Sequence, residues 1–251
     1  SPMSRGLGDV YKRQLIATNP SRYGDVLSAI KNAGGAQEVD MQLRQALALE
    51  AFEHTAAYDV AISQELHRRV VGDPALFSSM EEQRERLPDS MLAASHRVDT
   101  LRYGENGHQA AALYVNHDAP ETHSTLVTAR VEGGKAMSYN NYSDADATLR
   151  LCRSLSTDEW PNTPHACVIV KHNNPCGAAL ASTQREAFEM ALASDPESAF
   201  GSIICFNEIV ETSTAKAVGN LFVEVMMAPG YTDEAKSCLL YTSDAADEWL
   251  R

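Results

Sequence analysis

Apolar positions along this chain follow two rhythms. From Asp40 to about Val70, Leu43, Leu47, Phe52, Ala56, Ile62 and Leu66 fall near one stripe at mostly three- to five-residue spacing, almost without breakers, which predicts one long amphipathic helix. Upstream, Leu15–Pro20 reads as the tail of a strand entering a turn, and Tyr23–Lys31 as a short helix stopped by Gly34-Gly35. Gly72–Thr100 is charged, contains Pro and has no sustained period, so it is expected to be a linker with at most one short helix. Beyond it, short apolar runs alternate with helical patterns. Ala111–Val115, Thr125–Val131, Cys167–Val170, Ile203–Phe206 and Phe222–Met227 read as strands, with the last three buried. Ser143–Ser156, Ser182–Ala193 and Thr212–Asn220 read as helices, the first with Ser143 as N-cap and Asp144 and Asp146 in its first turn. Such alternation predicts an α/β layered domain.

Charge narrows the function classes. Asp and Glu number 34 against 21 Lys and Arg, a net charge of −13, which argues against a nucleic-acid partner needing a basic face. A local basic pocket for one phosphorylated small molecule stays compatible with that balance. No apolar run reaches the length of a membrane span and no charged-then-apolar leader opens the chain. The five cysteines, Cys152, Cys167, Cys176, Cys205 and Cys238, are scattered and form no CxxC pair. That pattern favours neither a disulfide framework nor a metal site, and points to a reducing cytoplasm.

Both ends read as foreign. Asp9–Gln14 (DVYKRQ) can be encoded GAT GTG TAT AAG AGA CAG, and the reverse complement of that string, read one base in, encodes Cys-Leu-Leu-Tyr-Thr and the start of a Ser codon. The same residues begin at Cys238. Residues 1–14 and 238–251 are therefore expected to be translated sequencing-adapter DNA and are set aside from fold reasoning, leaving about Leu15–Ser237.

Two polar clusters stand out as candidate chemistry. Lys171-His172-Asn173-Asn174-Pro175-Cys176-Gly177 follows the Cys167–Val170 strand, and a polar cluster at the carboxyl end of a buried strand, leading to a helix, is a usual ligand position. His172 suits a general base near neutral pH, and Lys171 suits proton donation or charge neutralisation. A plain turn built on Asn and Pro-Cys-Gly explains the segment about as well. Arg102-Tyr103-Gly104-Glu105-Asn106-Gly107-His108-Gln109 could hold a phosphate or a flat ring, or be a solvated loop. Gly133-Gly134-Lys135 ahead of Ser138-Tyr139-Asn140-Asn141 lacks the Walker pattern and reads as a hairpin turn. Ser194–Gly201 reads as an Asx-type turn entering the Ile203 strand.

Seven strings, in order, resemble the bifunctional AICAR transformylase/IMP cyclohydrolase family. They are NPSRYGDVL (Asn19–Leu27), EAFEHTAAYD (Glu50–Asp59), RYGENGHQAAALY (Arg102–Tyr114), SYNN (Ser138–Asn141), VKHNNPCGAA (Val170–Ala179), SDPESAFG (Ser194–Gly201) and FVEVMMAPGY (Phe222–Tyr231). The resemblance implies that 15–71 is the last part of a methylglyoxal-synthase-like cyclohydrolase domain, 72–96 a linker, and 97–237 the first part of a cytidine-deaminase-like transformylase domain. It implies formyl transfer from the co-substrate 10-formyltetrahydrofolate to AICAR (the aminoimidazole carboxamide ribonucleotide), followed by ring closure to IMP, in a cytoplasmic homodimer without metal. His172 matches the family's base, and Lys171 the lysine that stabilises charge or protonates the departing folate nitrogen. Arg102 and Tyr103 match residues that hold the nucleotide. Asn141 and Glu224 match further AICAR contacts, and Phe200-Gly201 match a loop lining the site. Most cyclohydrolase residues and the main folate-binding region would lie outside the chain, so a catalytically inactive nucleotide-binding module is the alternative for this piece alone. Gly107 stands where Pro or Ser is usual in the family, and Ser202 where many relatives have Gly, a source of strain if that position needs a positive φ. A zinc deaminase is disfavoured, because His172 is followed by Asn173-Asn174 rather than the required x-Glu, and Cys176 has no second Cys three residues on.

Overall fold

A computed structural model of the chain describes residues 14–72, 90–117, 125–155, 162–219 and 221–248. The short helix allowed in the linker would fall mostly on 73–89, outside them. The described residues up to 96, with 115–117, form one compact unit, and 97–114 with those from 125 onward form the second.

In the first unit, residues 14–18 have no regular structure and Pro20–Arg22 forms a 3-10 turn capped by the Asn19 side chain, so the expected strand at Leu15 is absent. A strand needs a paired neighbour, and the described residues provide none here. Helix α1 (Tyr23–Ala33) ends at Gly34, whose φ of 77° is the left-handed cap that glycine adopts without penalty. Helix α2 runs Met41–Val71, as its periodicity predicts, but buries a different face. Arg44, Leu47, Ala48 and Ala51 are buried, whereas Phe52, Ala56, Ile62 and Leu66 are exposed. The five-residue step from Leu47 to Phe52 turns about 140° at 3.6 residues per turn, which carries the expected stripe off the buried face. The buried Arg44 guanidinium donates to the carbonyls of Ala36, Gln37 and Val39, which satisfies a charge that would otherwise be costly inside.

A two-stranded ribbon pairs β1 (Ser95–Thr100) with β2 (Ala112–Asn116). Strand β1 occupies part of the expected linker. All six of its residues are exposed, so no apolar alternation announces it and only the backbone pairing defines it. The strand expected at Thr125–Val131 is instead a turn at its start and irregular beyond. Thr128 N donates to Thr125 O (3.2 Å), and Thr125 N donates to Thr128 Oγ1 (2.9 Å). Threonine side chains here hold the backbone away from a ladder.

The second unit is an α/β sandwich on a mixed four-stranded sheet. Its remaining elements are α3 (Tyr139–Ser154), β3 (His165–Lys171), β4 (Asn174–Ala181), α4 (Gln184–Ser194), β5 (Ser202–Phe206), α5 (Thr212–Val218), β6 (Val223–Met227) and α6 (Asp233–Glu248). The strand order is β4-β3-β5-β6. Strand β3 runs antiparallel to β4 and to β5, and β5 runs parallel to β6. The apolar runs of the inner strands β3 and β5 are buried on both faces, whereas β6, also expected to be buried, is an edge strand that is only half-buried and exposes Glu224. Cys167, Ile169, Ile204 and Phe206 join Phe188, Ala191, Val210 and Ala215 in one core. Ala166, Val168, Val170 and Cys205 join Cys152 of α3 in the other. Helix α6 is continuous across Cys238.

Helix α3 begins four residues before the expected start. Ser138 is its N-cap, and Ser138 and Asn141 form a reciprocal capping box. Asn at the third helical position does here what Glu or Gln usually does. Ser138→Ala is expected to destabilise the protein by about 1 kcal/mol, seen as a lower urea midpoint at unchanged m. Ser202 is extended in β5 and has no positive φ, so the strain considered there does not arise. Its hydroxyl, however, is buried without a hydrogen-bond partner among the described residues.

Candidate functional site

The Lys171–Gly177 segment does not lead into a helix. It is a β-hairpin, with Lys171 ending β3, Asn174 opening β4, and His172-Asn173 as the two-residue turn. Both turn residues are left-handed, with φ of 54° and 61°, as a type I′ turn requires. Histidine and asparagine are enriched in that region, but each still costs of order 1 kcal/mol relative to a right-handed backbone. Pro175 is tolerated because β4 is the edge strand, where a missing N–H breaks no inner ladder.

That cost is offset by helix α3. Asp144 accepts the His172 amide at Oδ2 (3.2 Å) and the Asn173 amide at Oδ1 (2.8 Å). Two successive amides aimed at one carboxylate form an anion nest, and because both bonds are exposed each contributes at the low end, about 1 kcal/mol. Ser143 Oγ donates to Asn173 Oδ1 (3.1 Å), and Asn174 Nδ2 donates to the His172 carbonyl (2.9 Å). The His172 side chain itself is exposed. Lys171 Nζ donates to the Phe200 carbonyl (2.7 Å), which ties the hairpin to the loop before β5. Gly201 follows with φ 71°, and its amide donates to Phe222 O (2.8 Å), while the Phe200 and Phe222 rings lie 5.4 Å apart.

The first turn of α3 organises a second group. Asn141 Oδ1 accepts from the Ser138 amide and hydroxyl, both at 2.9 Å, which leaves its Nδ2 to donate to Glu224 on β6. The 102–109 loop packs its backbone on the same helix start. Arg102 N donates to Met137 O (3.1 Å) and Tyr139 N to Tyr103 O (3.0 Å). The Arg102 guanidinium lies 4.9 Å from the Tyr103 ring centroid, a cation–π stack. The SYNN segment is thus a helix start and not a hairpin turn.

All eight residues nominated from the sequence, Lys171, His172, Arg102, Tyr103, Asn141, Phe200, Gly201 and Glu224, lie in the second unit. Direct contacts join Lys171 to Phe200, Asn141 to Glu224 and Arg102 to Tyr103, and α3 or its N-cap links the hairpin, β6 and the Arg102 loop. Arg102, His172, Phe200 and Glu224 are exposed, Tyr103, Lys171 and Gly201 are half-buried, and Asn141 is buried. A groove of about 500 Å³ lined by Leu101, Leu113, Leu126, Tyr142, Leu149 and Arg150, among others, contains none of them. Burial pushes the Cys176 thiol up, Asp195 adds to this and Lys171 opposes it, so Cys176 stays protonated at neutral pH and is no nucleophile. Among the described residues no three His, Cys, Asp or Glu side chains gather as metal ligands, and no helix is long and apolar enough to cross a membrane. Sequence reasoning missed the anchoring by Asp144. Its partners lie 28 and 29 residues away and are backbone amides, which leave no sequence pattern.

Fold and site together define an α/β protein whose candidate chemistry rests on a sheet hairpin braced by a helix start. The chain belongs to the AICARFT/IMPCHase bienzyme family, whose model matches residues 10–245. That range includes 10–14 and 238–245 of the terminal segments expected to be foreign. The chain is 40% identical over 235 residues to the bifunctional purine biosynthesis protein PurH of Persephonella marina, covering 93% of this chain and 41% of that protein. It is 41% identical over 226 residues to PurH of Rhodopirellula baltica, covering 89% and 38%. It is 38% identical over 237 residues to PurH of Desulfitobacterium hafniense, covering 94% and 42%. It thus spans about two-fifths of the length of these curated relatives.

Proposed function

We propose that the protein this chain belongs to acts in purine biosynthesis, transferring a formyl group from 10-formyltetrahydrofolate to the 5-amino group of AICAR and then closing the ring to IMP. The observation that carries the reading is the convergence on α3 of a His-bearing turn, an Asn–carboxylate pair and an Arg–Tyr stack, in a chain of this family. The amine of AICAR is a weak nucleophile, because its lone pair is delocalised into a ring bearing a carboxamide. His172 takes a proton from it as nitrogen attacks the formyl carbon. The tetrahedral intermediate collapses with cleavage of the bond to the folate nitrogen, which gains a proton. Lys171 stabilises the developing charge or supplies that proton, and its bond to Phe200 O fixes where it stands. Arg102 and Tyr103 hold the nucleotide, Glu224 accepts from its amide or hydroxyl donors, and Phe200-Gly201 line the site.

In this reading 15–71 closes a methylglyoxal-synthase-like cyclohydrolase domain, 72–96 links, and 97–237 opens a cytidine-deaminase-like transformylase domain, with 1–14 and 238–251 adapter-derived. A cytoplasmic homodimer would complete the open site, together with the folate-contacting region beyond this chain. The piece alone is then a nucleotide-binding module without turnover, which the exposure of Arg102, His172 and Glu224 supports. The test is tetrahydrofolate release from 10-formyltetrahydrofolate and AICAR by the gene product completed at both ends. Turnover is expected, and Arg102→Ala should raise the KM for AICAR by roughly tenfold or more with a smaller change in kcat. A folded completed protein that releases no tetrahydrofolate overturns the reading.

A further inference from the structure

We propose that Asp144 is a positioning residue for the formyl transfer: its carboxylate, by gripping the His172 and Asn173 amides, sets the base on the same helix face that sets the nucleotide-side carboxylate. The inference rests on the formyl-transfer reading and adds to it a residue that touches no substrate.

The geometry has three parts. Asp144 takes one amide on each oxygen, so neither oxygen is free to turn the hairpin loose. The His172 carbonyl is held from the other side by Asn174 Nδ2, so the residue carrying the base is fixed at its amide and at its carbonyl, while its exposed side chain receives no hydrogen bond from the described residues. Asn141, three residues before Asp144, donates to Glu224. Residues three apart are neighbours on a helix surface. One face of α3 therefore places Glu224 through Asn141 and His172 through Asp144. The start of the helix is in turn fixed by its capping box at Ser138. A base held in a left-handed turn needs such a brace, since small misplacements of a reacting group carry large rate penalties.

The experiment compares Asp144→Asn, Asp144→Ala, His172→Asn and the double variant Asp144→Asn/His172→Asn in the completed protein. Asp144→Asn keeps the shape but has one acceptor oxygen in place of two, and turns an N–H donor toward an amide donor. It is expected to lower kcat roughly tenfold or more with the KM for AICAR little changed, and to speed hydrogen exchange at the His172 and Asn173 amides. Asp144→Ala should lower kcat further, and if it does not fold the isosteric Asn variant carries the test. In the His172→Asn background, Asp144→Asn should cost no further kcat, because a residue acting through the base has nothing left to position. Unchanged kcat in Asp144→Asn beside a strong loss in His172→Asn overturns this inference alone, as does an equal loss from Asp144→Asn in both backgrounds. Full activity of His172→Asn removes the underlying mechanism instead.

Discussion

His172→Asn in the completed protein is expected to lower kcat for formyl transfer by roughly 10²- to 10⁴-fold, the span over which a positioned general base contributes. Asparagine is the informative replacement. The position is left-handed, and Asn accepts that conformation where Ala or a bulky residue would add backbone strain to the chemical loss. The Asp144 and Asn174 bonds run to the backbone of residue 172, so the hairpin keeps them in the variant. AICAR binding, measured by titration, should therefore stay within a few-fold of wild type while single-turnover chemistry slows. A variant that binds normally and turns over normally would show that the base lies elsewhere.

Gly177→Ala is expected to be the most damaging single-methyl change in the second unit. Gly177 is buried in β4, and a Cβ there would stand 1.9 Å from the Ala191 carbonyl oxygen and 2.8 Å from its carbonyl carbon. Both are backbone atoms of α4, so no rotamer change relieves the clash. Either the helix lifts off the sheet or β4 leaves the ladder, and both open the core around Phe188 and Ala191. The cost should reach the top of the overpacking range, about 3 kcal/mol or more. Urea denaturation reads it directly, with Ala178→Ser on the exposed side of the same strand as control, expected within about 0.5 kcal/mol. A Gly177→Ala midpoint equal to wild type would mean that α4 and β4 are not so closely packed.

The parts of the fold legible in the sequence are those whose signal is local. Cys167–Val170 and Ile203–Phe206 announce themselves because both faces of an inner strand are buried, which forces an unbroken apolar run. The 31-residue helix α2 is legible from its length without breakers, though its buried face is not. Ser138 does not announce itself as a cap, because the box closes with Asn141 in place of the usual Glu or Gln. Strand β1 was illegible because an exposed two-stranded ribbon asks nothing of its side chains.

The candidate site divides along the same line. Residue types and strings in order sufficed to nominate Lys171, His172 and the other six, and to point to the family, because chemical identity is written residue by residue. Which of them meet was decided by tertiary structure. Asn141 reaches Glu224 across 83 positions, and Lys171 reaches a carbonyl 29 positions away. The Asp144 brace was invisible for a further reason. Its partners are amides that every residue but proline carries, so only the left-handed turn and the placement of α3 beside it determine that these two amides converge on one carboxylate. The sequence by itself determined the secondary elements with strong periodicity and the chemical inventory. The tertiary structure alone decided the register between α3 and the hairpin, because contacts between distant segments are set by how the layers pack and not by any spacing along the chain.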